Sequence, residues 1–270
     1  MPPPLLLARD GPVATLTLNR PEQLNALDFT LTEALIEAAN DVAGDDALRV
    51  VVVRGAGKHF MAGGDLRTFA GELAKPPAQR NTDFQALINR LHSAIEAFHR
   101  MPHPVVCGVQ GAVAGFGLSL MNAADLVLAA DNAYFASAYR NIALTADGGG
   151  SWTLPRIVGM RRAMEIMLLS ERFDAAQARD WGIVNRVVPL ADLDAAVAAV
   201  VQDLVRAPLL AVRNAKRLLR QSLGSSLSEQ LAAEAVSFGT CAGTADFAEG
   251  INAFLEKRPA RFAGAPEGDK

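Results

Sequence analysis

Phe60-Met61-Ala62-Gly63-Gly64-Asp65-Leu66 and Gln110-Gly111-Ala112-Val113-Ala114-Gly115-Phe116-Gly117 are the two stretches whose reading decides the fold. Each follows an apolar run with the composition of a strand buried on both faces: Leu48-Arg49-Val50-Val51-Val52-Val53 before the first, Val105 to Val109 before the second. Each leads into the start of a helix. Backbone N–H groups are exposed at a helix start and glycine permits close approach, so such a turn attracts negative charge. Two donors of this kind converging on one point form an oxyanion hole, the equipment of carbonyl chemistry. The same glycines also serve tight turns and close packing, and taken alone they leave both readings open.

Outward from these turns, strands alternate with helices. Val13 to Leu18 alternates in β manner, and Leu31, Leu35, Ile36, Ala39 and Val42 recur at helical spacing until Gly44-Asp45-Asp46 closes the helix. A second amphipathic helix spans about 82–100, with Phe84, Leu87, Ile88, Leu91, Ile95 and Phe98 on one stripe and Pro102 and Pro104 as its stop. Leu126 to Ala130 and Ile183 to Val188 read as short buried strands, separated by helices near 116–123 and 163–169. This order predicts an α/β architecture. After Pro189 the pattern is helical only, over 193–205, 209–223, 227–241 and 245–256, which divides the chain into a core of residues 1–190 and a helical region of residues 191–270. Gly71 to Pro77 and the tail from Gly264 to Lys270 read as loops.

Composition narrows the function. Half of the 270 residues are hydrophobic and a fifth are charged, which excludes a disordered chain. With 26 basic and 29 acidic side chains the net charge is −3, so no global attraction for nucleic acid or anionic membrane is expected, and any anionic ligand must be held locally. Cys107 and Cys241 are too few for a disulfide framework, Cys107 is expected to be buried, and the first ten residues lack a basic, apolar leader; the expected location is the cytoplasm. Pro104 to Ala124 carries no charge and is long enough to cross a bilayer. Its four glycines with Gln110, Ser119 and Asn122 favour a strand, a turn and a buried helix instead.

Familiar signatures fail. Gly115-Phe116-Gly117 lacks the third glycine of a dinucleotide loop, and Gly57-Lys58 lacks the first glycine of a phosphate loop. Ser119 has glycine before it but Met121 after it, so it is no nucleophile elbow. His99 and His103 have helical metal-pair spacing, but Pro102 and Pro104 interrupt the helix, and no metal site is expected.

Asn19-Arg20-Pro21, Asn25-Ala26-Leu27, the two glycine turns and Asp125, in that order, resemble the crotonase (enoyl-CoA hydratase/isomerase) superfamily. The similarity continues through Leu154 to Gly159, Ala178 to Val184 and Ala253 to Arg258, and so covers nearly the whole chain. It implies a crotonase-like spiral of ββα units with a C-terminal helical trimerisation region, in a homotrimer or a dimer of trimers. It also implies acyl-CoA as substrate, with no separate cofactor, and an enolate held by two backbone amides. Carried over, the donors are the N–H groups of Gly64 and Phe116, with the Phe116 ring placed to narrow the acyl pocket. Ala62, Gly63, Gly64, Asp65 and Leu66 would line the CoA groove, Arg67 would either reach a phosphate or stand as a solvated surface charge, and Lys257 resembles the basic residue that a neighbouring subunit offers to the nucleotide end of CoA.

The departures from the family are informative. The two glutamates with which hydratases hold and activate water would align with Ser119 and Tyr139, neither basic enough to replace a carboxylate. Asp147 aligns with the catalytic aspartate of isomerases of the phenylacetate-degradation type and of 4-chlorobenzoyl-CoA dehalogenases. As an isomerase base it would move a proton from C2 to C4 of a 3-enoyl-CoA, with Trp152, Tyr139 and Phe116 expected to desolvate it. An Asp-Gly turn is the plain structural alternative. Hydratase, dehalogenase-like hydrolase and inactive acyl-CoA-binding module are the other functional readings.

Overall fold

A computed structural model describes residues 2–263; the tail expected to be a loop, from Gly264 to Lys270, lies outside the described residues. Among the described residues the strands are β1 (Leu5–Asp10), β2 (Val13–Leu18), β3 (Val50–Gly55), β4 (Val105–Val109), β5 (Ala112–Ala114), β6 (Leu126–Ala130), β7 (Tyr134–Ala136), β8 (Phe173–Asp174) and β9 (Arg186–Val188). The α-helices among them are α1 (Phe29–Ala43), α2 (Leu66–Gly71), α3 (Pro77–Arg100), α4 (Phe116–Ala123), α5 (Gly150–Leu169), α6 (Ala175–Asp180), α7 (Leu193–Arg206), α8 (Leu209–Ser222), α9 (Leu227–Ala242) and α10 (Ala245–Glu256).

The strands form a six-stranded sheet, β1-β2-β3-β4-β6-β9, and a three-stranded sheet, β5-β7-β8. β1 and β2 are an antiparallel hairpin, and every later pairing in the large sheet is parallel. Successive passes of the chain repeat one unit: a strand of the large sheet, a short strand of the small one, then a helix. β4, β5 and α4 make one pass, and β6, β7 and α5 the next. β3 begins an earlier pass whose short strand is reduced to Met61, bridged in parallel to Val113. This is the ββα spiral, wound so that equivalent turns lie side by side.

Alternation along the buried strands builds two cores. Val51, Val53, Val105, Cys107, Val109, Val127 and Ala129 face the larger core with α1 and α3. Val50, Val52, Val106, Leu128 and Ala130 face the other way, where Leu193, Val200, Val201 and Val205 of α7 cover them. Gly108 permits this approach, since a Cβ there would stand 3.0 Å from Val197 Cγ2. The change of composition at Pro189 therefore precedes the edge of the packed core: α7 completes it, and α8–α10 extend beyond. The stretch 104–124 folds as β4, β5 and α4 within the protein. No single helix among the described residues is long and apolar enough to cross a membrane.

α8 is tied to the core by charge. Asp125 accepts from the Val105 amide at 2.8 Å and pairs with Lys216 Nζ and Arg220 Nη2, each at 2.7 Å. Lys216 also donates to the His103 carbonyl at 2.7 Å. α9 packs on α8 and α10 on α9, leaving Val236, Phe238, Phe254 and Leu255 at least 70% exposed.

Candidate active site

The first glycine turn is stitched to the second strand by strand. Phe60 N–H donates to Gln110 O at 2.8 Å, Met61 N–H to Ala112 O at 3.0 Å, and Ala114 N–H to Met61 O at 2.9 Å. Gly63 and Gly115 then meet. A Cβ on Gly63 would lie 3.2 Å from Ala114 O and 3.5 Å from Gly115 Cα, and both glycines have positive φ, +94° and +52°. A side chain at Gly63 would crowd the second turn, and at either position it would strain a backbone that favours glycine. Their closeness brings the next residues, Gly64 and Phe116, side by side. Among the described residues the amide of neither donates to any acceptor, as expected of Phe116 at the first position of α4. Two unpaired N–H groups on adjacent turns are the kind of donor pair an oxyanion hole requires. A Cβ on Gly64 would meet the tip of the Phe69 ring, whose Cζ stands 2.6 Å from that point, so a side chain there would have to displace that ring.

The motif around Asn25 explains how the first glycine turn is held. Asn25 is fully buried, and its Nδ2 lies within hydrogen-bonding distance of the carbonyls of Ala56, His59 and Phe60 at 3.0, 2.8 and 3.1 Å. Leu27 N–H donates to Gly63 O at 2.7 Å, and Asp65 N–H to Leu27 O at 2.9 Å, which fixes the peptide on each side of Gly64. Asp65 caps α2 through the amides of Arg67 and Thr68 and pairs with Arg20 at 3.1 Å. Burial pushes its carboxyl up, yet Arg20 and the two amides together hold it below the ordinary carboxylate range. The Asp65 side chain is thus spent on shaping the loop, and what the segment offers a ligand is backbone with the exposed Leu66 and Arg67. Arg67 is paired with no acid among the described residues. Lys257 stands apart, exposed at the C-terminus of α10 with φ +56°, and no hydrogen bond within the chain joins it to residues 62–67.

Asp147 lies just before α5, in a turn that packs on α4. A Cβ at Gly148 would stand 2.8 Å from the Phe116 ring and 2.9 Å from Ser119 Cβ, so this turn rests against the side chains of both residues. Tyr139 Oη donates to Asp147 Oδ1 at 2.5 Å, and Ser119 Oγ donates to the Asp147 carbonyl at 2.9 Å. Burial raises the Asp147 carboxyl above its usual range, against the opposing effects of the Tyr139 hydroxyl, His92 and its own amide. The Tyr139 hydroxyl is pushed up as well, first by burial and then by the neighbouring carboxylate.

Two details differ from the expectation. The Phe116 ring, 1% exposed, is packed beneath the Asp147–Gly148 turn, because Gly148 leaves it room there, and supports that turn where it was expected to narrow the pocket. Trp152 is engaged elsewhere, edge-on to His99 and beneath the Arg156 guanidinium, 4.0 Å from its ring centre. Sequence reasoning missed His92, whose Nε2 accepts from the Gly148 amide at 3.2 Å. Its one signal was position: it follows Ile88 by four residues and so borders the apolar stripe of α3.

The comparisons with known proteins agree with this geometry. The family model described as enoyl-CoA hydratase/isomerase matches residues 8–265. A relative in Rhodobacter capsulatus named "Probable enoyl-CoA hydratase" is 37% identical over 93% of this chain and 95% of its own. The 1,2-epoxyphenylacetyl-CoA isomerase of Escherichia coli is 34% identical over the same shares. The crystal structure of an enoyl-CoA hydratase from Polaromonas sp. JS666 superposes with a TM-score of 0.88 at 35% identity, covering 96% of this chain and 99% of that one. The ββα spiral, the paired amides of Gly64 and Phe116, and these likenesses along almost the entire sequence establish that the chain belongs to the enoyl-CoA hydratase/isomerase family of the crotonase superfamily.

Proposed function

We propose that the protein isomerises the double bond of an enoyl-CoA, with Asp147 as the base. The observation that carries this reading is the carboxylate of Asp147 held beside the oxyanion hole by Tyr139, while hydroxyls occupy both positions where the family's hydratases carry glutamates. With the thioester oxygen between the amides of Gly64 and Phe116, the acidity of the C2 proton rises. Asp147 takes that proton, and the C2–H electron pair moves into a dienolate whose negative oxygen the two amides hold. The same carboxyl returns the proton at C4, giving the conjugated 2-enoyl thioester and a regenerated carboxylate. The reaction consumes no co-reactant and uses acyl-CoA alone, without a further cofactor. Burial suits the task, because a carboxyl raised above its usual range is a stronger base once ionised.

Hydration is the second reading, supported by the hydratase name of the Rhodobacter capsulatus relative. Against it, Ser119 and Tyr139 each have a single proton, and in the geometry above both protons point at Asp147. A dehalogenase-like route would need a free base for water beside the aspartate. His92 does not supply one, since its acceptor nitrogen is spent on the Gly148 amide. The test is turnover of 3-enoyl, 2-enoyl and 4-halobenzoyl thioesters of CoA, followed as mass-neutral isomerisation, hydration and halide release. Isomerisation of the 3-enoyl ester with slow hydration of crotonyl-CoA is expected. Fast hydration with no isomerisation would overturn the proposal, and binding of every ester without turnover would make the chain a binding module.

A further inference from the structure

Tyr139 sits on a short 3-10 turn with a left-handed alanine on each side, Ala138 at φ +60° and Ala143 at φ +57°. Left-handed backbone is costly for a residue with a Cβ, and two such residues bracketing one turn persist only where surrounding contacts hold them. The turn closes on itself through Tyr139 N–H to Ser137 O at 2.8 Å and Leu144 N–H to Tyr139 O at 3.1 Å. It delivers the phenol to one oxygen of Asp147 at 2.5 Å and to within 3.2 Å of Ser119 Oγ. Among the described residues none donates to Asp147 Oδ2. The titratable groups that face Asp147 are Tyr139 from this turn and His92 from α3, with the neutral Ser119 hydroxyl from α4 and the Phe116 ring beneath.

We infer that Tyr139 is a positioning residue which occupies Oδ1 of Asp147 and so assigns the whole proton transfer to Oδ2. The inference rests on the isomerase reading above. One oxygen then accepts the C2 proton and delivers it to C4, while the phenol keeps its own proton throughout and holds the carboxyl plane fixed between the two carbons. It also explains the two hydroxyls together: Ser119 fixes the backbone of Asp147 and Tyr139 fixes its side chain. These positions have become supports for the aspartate.

The test is Tyr139→Phe, which keeps the ring and removes the one donor. Rates of isomerisation of a 3-enoyl-CoA and of exchange of its C2 proton with deuterated solvent would be measured across pH for the parent, Tyr139→Phe and Asp147→Asn. Dissociation constants for a saturated acyl-CoA would accompany them. Hydrogen bonds to a charged group typically stabilise it enough to move a pKa by about one to two units, so the acid limb of kcat/KM in Tyr139→Phe should move up by about that much. kcat should fall by roughly tenfold or more as the carboxyl loses its fixed plane, with affinity for the saturated ester unchanged. A purely structural loss would lower affinity or melting temperature without moving the acid limb. An unmoved acid limb and a parental kcat in Tyr139→Phe, with Asp147→Asn inactive, would overturn the positioning role while leaving the isomerase reading intact. Parental activity in Asp147→Asn would overturn the isomerase reading itself.

Discussion

A carboxylate that must ionise in a partly buried turn works against the stability of the fold. Asp147 binds its proton more tightly folded than unfolded, so between the unfolded carboxyl pKa of about 4 and its raised folded value the native state holds more protons. Stability from this group therefore falls as pH rises through that interval, and above it the full cost persists. Asp147→Asn keeps an oxygen for Tyr139 and removes the cost. Its melting temperature should exceed the parent's at neutral pH, with the gap closing as pH falls toward 4; thermal denaturation across that range checks this, and a gap indifferent to pH would contradict it. Asp147 was legible in the sequence because the family's hydratase glutamates were missing and one aligned acid remained. Its surroundings were only half legible. Tyr139 and Phe116 do surround the turn, but Trp152 turns away to His99, and His92 comes from a helix more than fifty residues earlier that no local pattern ties to this site.

Elements with strong periodicity matched the sequence reading closely, and those stabilised only by neighbours did not. α4 and α10 fall where the apolar spacing put them, as do β2, β4 and β6. β5, β7 and β8 have three residues or fewer, too short for alternation to register, and exist because each pairs with an equivalent turn of the spiral. The strand expected over 183–188 shrinks to β9, since Ile183 and Val184 cap α6 in place of pairing. α5 begins thirteen residues before the expected helix at 163, because Pro155 and the left-handed Gly159 break its pattern while the chain continues across a kink. The Gly71–Pro77 loop holds a short 3-10 turn. Among elements, α8 depends most on one side chain. Asp125 faces two cations, and burial pushes the Lys216 ammonium down despite that pairing. Asp125→Asn leaves Lys216 buried without its counter-charge and should cost about 3–5 kcal/mol in chemical denaturation. A loss below about 1 kcal/mol would show that α8 is held by apolar contacts alone.

At the scale of the whole molecule, α9 and α10 present apolar side chains that none of the described residues covers: Leu227 is 74% exposed, Phe238 74% and Phe254 81%. A patch of this kind marks an interface, and the proposed covering is a second and third copy of this chain, forming a trimer or a dimer of trimers. The same assembly would bring Lys257 to a neighbour's groove, which it does not reach within its own chain. Light scattering should give a trimer or hexamer, and Lys257→Ala should weaken CoA binding through loss of a phosphate-pairing charge. A monomer would contradict the first expectation and unchanged affinity the second. The proposed hole, groove and base come from turns far apart in sequence, and the proposed reaction centres on one atom group, the carboxylate of Asp147. The most direct measurement follows isomerisation of a 3-enoyl-CoA, and exchange of its C2 proton with deuterated solvent, in Asp147→Asn beside the parent. Both rates should fall by about 10²–10⁴-fold with acyl-CoA affinity retained; parental rates in the asparagine variant would reduce Asp147 to a turn residue and place the base elsewhere.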